Sequence, residues 1–447
     1  MPRSQELEGL LHSEIVQLRE EGCDTRELEA EMQRVRKSLE QQAVALYETL
    51  YGQAAELAPQ PGFGYVEPSD LAGIRAARPD GPRRVGAPPS DEHLADRILG
   101  AWLGRCAGCM LGKPVEGRTK AQIDAILAAA GEPELTDYFP PIPDAPADLH
   151  WHAPDNLLLR GNITHGVRDD DTDYTVIGLH TLEENGPGFT SLDVANQWQQ
   201  HLPYHCVYTA ERVAYKNLVD GLVPPESATF RNPFREWIGA QIRCDAFGYA
   251  APGRPEKAAE FAFRDAAVSH VKNGIYGEMF FAALIAASLV LDDLDQALDA
   301  ALAEIPARSR LTEAVAQTRA FCAEEADWRN AWERINAAFG RYHPVHTINN
   351  AALVLMGLLY GARENDPAAC YERAICLAVW GGWDTDCNGA TAGSVAGALL
   401  GAQKLPAKWT GVLNDRLESI VVGLTDNRIS DLAERTVRVA KKVAEET

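Results

Sequence analysis

Positive charge is scarce in this chain. Its 447 residues carry 42 Lys and Arg against 64 Asp and Glu, a formal net charge of −22 at pH 7. Such a surface repels phosphate backbones, which excludes general nucleic-acid binding but not a small phosphorylated ligand held through cations. Long apolar runs are absent as well. The longest, 279–291 and 351–360, fall short of the roughly 20 residues that a membrane span needs. The opening stretch MPRSQELEGLLHSEIVQLREEG has no uninterrupted apolar core, so no secretory signal is expected and the cytoplasm is the expected location. The 9 cysteines, odd in number and scattered, suit a reducing compartment better than a disulfide scaffold. Cys106 and Cys109 form a CxxC. Without a second pair or a neighbouring His pair, small residues on a packed helix explain it better than zinc. Strand-like alternation is nearly missing, so an all-α fold is predicted.

What is present is helical periodicity. Residues 5–19 and 25–55 read as two helices, with Leu11, Ile15 and Leu18 on one face and Met32, Val35, Leu39, Ala43, Leu46 and Leu50 on the other. Gly22 breaks them apart, and Asp24 with Glu27 resembles a capping box. The pair predicts an N-terminal helical hairpin, 1–57, whose seam could pack on the main body or join a second copy in a homo-oligomer. Residues 58–90, rich in Pro and Gly, read as a linker. A compact multi-helix domain follows over 91–447. Within it, glycine recurs at every fourth position twice: Gly100, Gly104, Gly108, Gly112, then Gly389, Gly393, Gly397, Gly401. Glycine weakens a helix by about 1 kcal/mol relative to Ala, so such a stripe implies that another backbone comes very close. Residues 131–168 read as a long loop overhanging a site.

Chemistry concentrates in two acidic clusters. Arg168-Asp169-Asp170-Asp171-Thr172-Asp173 precedes a helical run, and Trp380-Gly381-Gly382-Trp383-Asp384-Thr385-Asp386-Cys387-Asn388-Gly389 precedes the second glycine stripe. Acids at a helix N-terminus favour its dipole, so either cluster alone could be an acidic cap. Two such clusters point to a shared site for a hard cation, for which oxygen ligands suit Mg, Ca or Mn rather than zinc.

Four separated segments resemble the ADP-ribosylglycohydrolase family, whose members include the dinitrogenase-reductase-activating glycohydrolases. They are Gly100 to Glu116 with its Gly-x-Pro-x-Glu ending, Asp169-Asp170-Asp171-Thr172, Gly239 to Asp245 with Ser269-His270, and Gly381 to Asp386 followed by Asn388. The resemblance spans roughly 95–405. It implies a glycosyl hydrolase that cleaves at the anomeric carbon of an ADP-ribosyl group, carried by a small molecule or a protein. It also implies two divalent cations, Mg or Mn, held by Asp169, Asp170, Asp171, Asp384 and Asp386. Glu116 and Asp386 become the candidate catalytic carboxylates, and Glu116, His270, Trp383 and Asn388 the candidate substrate contacts. Three positions depart from the pattern. Asp169 stands where the family commonly has a hydroxyl, Cys387 where Thr or Ser supplies an oxygen, and Cys109 where Asp is frequent. A neutral thiol is a poor partner for Mg, so the second ion is expected to bind more weakly.

Other residues have plainer readings. His150 and His152 read as surface residues, Pro203 between His201 and His205 argues against a helical pair, and His343 and His346 read as capping or packing residues before a helix. Arg243 and Asp245 could form a buried ion pair, and Trp380 and Trp383 could stack on an adenine or pack in the core. Two competing functions stay open: a ribosyl hydrolase acting on a nucleoside-like metabolite, and an inactive binding or structural protein on the same scaffold. The retained aspartates speak against inactivity.

Overall fold

The computed structural model describes residues 3–38, 40–87 and 89–445. The expected all-α class is what forms. Helices run through the described residues, and the sheet among them is one antiparallel pair, Arg416–Glu418 against Asp426–Arg428. No described helix is long and apolar enough to cross a membrane.

The glycine stripes find each other. The first lies on the helix Asp91–Gly112, called here the opening helix, and the second on Thr385–Leu400, the closing helix. They run antiparallel at backbone contact. A Cβ placed on Gly104 would lie 2.1 Å from the Gly393 carbonyl oxygen, and one on Gly108 would lie 1.9 Å from that of Gly389. Real side chains cannot occupy those gaps. At the end of the zipper, Gly112 meets Thr385, whose hydroxyl donates to the Gly112 carbonyl at 2.8 Å. The C-terminus of one helix is thereby set beside the N-terminus of the other. Around this pair the apolar helices Lys272–Ser288, Thr347–Gly361 and Pro367–Trp380 complete the main core.

The N-terminal segment holds three helices where a hairpin of two was expected: Arg3–Glu20, Arg26–Val35 and Glu40–Ala55. Gly22, at φ +82°, makes the first break, and Phe63 fills the space its Cβ would need. The Asp24–Glu27 box does not form. Thr25 is the cap residue, and Asp24 instead accepts from the backbone and side chain of Arg26. The second predicted helix is interrupted by a turn after Val35. Seven of the nine seam residues are buried in a core of their own and Leu46 is exposed; Leu39 lies outside the described residues. The segment makes ion pairs and hydrogen bonds with the body of its own chain. Arg235 reaches Glu14 at 2.9 Å and Glu21 at 2.8 Å, and Arg310 donates to the Glu20 carbonyl at 2.9 Å.

Residues 58–90 are more than a linker. They carry a short helix, Leu71–Ala77, capped by Asp70, which accepts from the Gly73 amide at 2.8 Å. Glu67 is buried against Arg310 at 2.8 Å, and Val85 donates to the Gly253 carbonyl at 2.9 Å. The stretch straps the N-terminal helices to the body.

Candidate metal centre

Three chain segments converge at the end of the zipper. The opening helix continues through a short 3-10 turn, Lys113–Val115, to Glu116. The closing helix begins at Thr385, so Asp384 and Asp386 sit in its first turn. The third segment is the start of the helix Asp170–Asn185, with Asp169 as its cap, accepting from the Asp171 amide at 3.0 Å. Arg105 of the opening helix fastens this third segment. It donates to the Asp171 carbonyl at 2.6 and 3.1 Å and pairs with Asp245 at 2.7 Å. Glycine zipper and buried arginine together carry the acids, distant in sequence, to one place.

Local backbone completes the arrangement. Gly382 turns at φ +85°, where a Cβ would meet the Lys120 amide at 2.8 Å. Trp383 follows at φ +64°, left-handed for a bulky residue, at a cost of order 1–3 kcal/mol. Its carbonyl accepts from Gly117 and its amide donates to Arg118, both at 3.2 Å, which stitches the Asp384 turn to the Glu116 turn. Asn350 accepts from the Asp384 amide at 3.2 Å and from Asn388 at 2.9 Å. The 131–168 loop closes over the same turn. His152 bonds the Pro114 carbonyl at 2.7 Å, and the His150 carbonyl accepts from Arg118 at 2.9 Å.

Three groups of ligand atoms result, each within 4.8 Å: Glu116, Asp384 and Asp386; Asp171, Asp386 and Cys387; Asp169, Asp170 and Asp171. Glu116 is exposed at the rim, Asp170 half-buried, the others buried. Burial first, then the neighbouring acids, hold Asp170, Asp171 and Asp386 well above the usual carboxylate range. Asp384 and Glu116 are also raised, Glu116 by partial desolvation and then by Asp384. The Cys387 thiol is pushed far up by burial and by Asp171, so it is neutral and donates to Asp171 Oδ2 at 3.2 Å. Among the side-chain oxygens of these groups, Asp386 Oδ1 is buried without a hydrogen bond. Buried carboxylate oxygens need compensation. Hard oxygens from several carboxylates with an orphaned oxygen among them fit a Mg- or Mn-type cation.

The remaining predicted contacts fall at different distances from the acids. His270 is buried beside Ser269 at 2.8 Å, its proton affinity lowered by burial and by Arg243, and it joins none of the three acid groups. Asn388 is fully buried under the Asp384 turn, where it braces Asn350. Trp383 is partly exposed beside the acids. Trp380 packs in the core against Trp328, ring centres 4.9 Å apart. Arg243 does not pair with Asp245. It bonds Glu211 at 2.7 Å and also pairs with Asp265. His346 caps the helix Thr347–Gly361 and His343 stacks on Trp237, as their positions implied. Sequence reasoning missed Lys113, which pairs with Asp169, along with Arg105 and Asn350. Lys113 lies inside the Gly-x-Pro-x-Glu segment, but its partner is 56 residues away.

Fold and site define an all-α protein with a cluster of carboxylates, gathered between helix ends, that could hold a cation. The chain belongs to the ADP-ribosylglycohydrolase family, whose model matches residues 90–445. Among solved structures it is similar to an ADP-ribosylglycohydrolase-related protein complex, with 19% identity and a TM-score of 0.48 over 79% of this chain and 99% of that one. No curated protein matches the chain.

Proposed function

We propose that this chain hydrolyses the bond between the anomeric carbon of an ADP-ribosyl group and its carrier, with divalent cation held in the acid cluster that Asp384 and Asp386 share. The observation that carries the reading is the orphaned Asp386 Oδ1, buried where the acid groups meet. Family membership supplies the glycosidase class.

A bound divalent cation would supply Lewis acidity and a grip on the ribose hydroxyls. The side chains do the rest. Breaking a ribosyl bond builds positive charge at the anomeric carbon, and the surrounding carboxylates stabilise it. Glu116 is the exposed member of the set and its pKa is raised, which suits a group that takes a proton from the attacking water near neutral pH. That proton, or its equivalent from solvent, ends on the departing carrier. Asp386, buried and short of a partner, serves as ligand. Trp383 lines the approach as an aromatic wall. His270 and Asn388 act as supports away from the substrate.

The test is a screen of ADP-ribosylated arginine, serine and small-molecule carriers with product mass as readout, run with Mg, with Mn and with chelator. Release of ADP-ribose only with cation is the expected result. Release of a smaller ribosyl product alone would favour a nucleoside-like metabolite, and no release from any carrier would reject the proposal.

A further inference from the structure

We infer that Lys113 acts as a resident cation at the Asp169–Asp171 end of the centre, so that this chain binds one divalent ion, at Glu116, Asp384 and Asp386, and not two. The inference rests on reading the acidic cluster as a cation site and says how that site is filled.

The two ends of the cluster differ in what already occupies their oxygens. At the Asp169 end, Oδ1 of Asp169 caps the Asp171 amide at 3.0 Å and Oδ2 holds the Lys113 ammonium. Asp171 faces Arg105 with Oδ1 at 3.4 Å and accepts from Cys387 with Oδ2 at 3.2 Å. Among the described residues, only Asp170 of the three is left without a side-chain hydrogen bond, and one carboxylate does not make a cation site. An ammonium is a compact, strongly hydrated point charge. A divalent ion among the same three acids would have to displace it or sit against it at like charge.

The other end is open. Asp386 Oδ1 is buried with no partner, the residue only 4% exposed, and a carboxylate oxygen of Asp386 lies within 4.8 Å of ligand atoms of Asp384 and Glu116. Three oxygen ligands converge there, and among the described residues no lysine or arginine forms an ion pair with them, although the Lys113 charge is near enough to act on Glu116 and Asp386. The departures noted in the sequence then form one pattern. Asp169 in place of a hydroxyl adds a negative charge, and Lys113 balances it. Cys387 in place of a hydroxyl supplies a donor to Asp171, where an ion would need an acceptor.

The experiment uses the full chain, stripped with chelator and titrated with Mn²⁺, followed by calorimetry and by electron paramagnetic resonance. One Mn²⁺ per chain is expected, with the six-line spectrum of an isolated ion. Asp384→Asn should abolish that binding. Lys113→Met combined with Asp169→Thr removes the ion pair and places a hydroxyl at 169, and it should admit a second Mn²⁺ with a spin-coupled spectrum. Two ions in the unaltered chain would overturn the inference and leave the proposed function standing. A folded double variant that still takes one ion would also overturn it. Absence of any Mn²⁺ binding would overturn both readings. The stoichiometry of the unaltered chain decides the matter if the double variant does not fold.

Discussion

At the residue scale, two carboxylates and one thiol separate ligand chemistry from support. Asp384 and Asp386 sit in one helical turn and share the open end of the centre. Converting either to Asn keeps the volume and removes the charge. Activity should fall about a thousandfold, the several kcal/mol that a Lewis acid contributes, and Mn²⁺ should no longer bind by calorimetry. Undiminished binding in both variants would show that the acids are caps and nothing more. Cys387 makes the contrasting case. Its thiol donates to the buried Asp171. Cys387→Ser keeps that donor and should leave stability within about 0.5 kcal/mol of the parent. Cys387→Ala removes the donor and should cost about 1 kcal/mol by urea denaturation. Equal stability of the two variants would mean that the thiol contact carries no weight.

At the scale of elements, the zipper is what makes the centre possible, and it can be tested against glycines that do nothing similar. A Cβ on Gly108 would fall 1.9 Å from a backbone oxygen, while one on Gly9 or Gly52, both also helical, would meet nothing within 4 Å. Gly108→Ala should therefore destabilise by about 3 kcal/mol or more and weaken Mn²⁺ binding, because the ends of the two helices must part. Gly9→Ala and Gly52→Ala should stabilise by roughly 0.5–1 kcal/mol through helix propensity alone. Thermal melts of the three variants decide it. The zipper was legible in the sequence because a period of four glycines has no other use on a helix. The aspartate clusters were legible because each is local and the two of them recur before helices, although either alone could pass for a cap. The interruption after Val35 was not, since Arg36-Lys37-Ser38 carries no Gly or Pro and three-dimensional packing sets the break. The helix Leu71–Ala77 hid inside a Pro-rich stretch although Asp70 marked its start. Lys113, Arg105 and Asn350 were invisible for a different reason. Nothing in a linear pattern says that residue 113 will meet residue 169, or 350 meet 384, until the helices are packed.

At the scale of the whole molecule, the acid cluster couples stability to pH and, under the proposed function, to cation, and the sign follows from the direction of the shifts. Asp170, Asp171, Asp384, Asp386 and Glu116 all have raised pKa values, mainly through burial. A carboxyl raised in the fold still holds a proton that the unfolded chain has released. Each of them therefore favours folding at low pH and loses that contribution as pH climbs from the ordinary carboxylate range, about 4, through its folded value. Buried histidines act in the opposite sense. His270 is held well below its usual value and His343 at about 4, both chiefly by burial. They cost stability as pH falls below the ordinary histidine value of about 6.5. A melt against pH in chelator alone would mix the two trends, and the difference between cation and chelator separates them. His270 and His343 belong to none of the acid groups and contribute equally with or without the ion. Glu116, Asp384 and Asp386 do not, because binding requires them deprotonated and then compensates their charge. The rise in melting temperature on adding Mg²⁺ or Mn²⁺ should accordingly be small near pH 5 and grow steadily to pH 8. Ion at about a hundred times its dissociation constant adds about 2.7 kcal/mol, enough to read as a shift of a few degrees in a protein of this size. Asp386→Asn should flatten the dependence. A cation-induced shift that is constant from pH 5 to pH 8, or that shrinks, would show that the raised carboxylates are not the groups that take the ion.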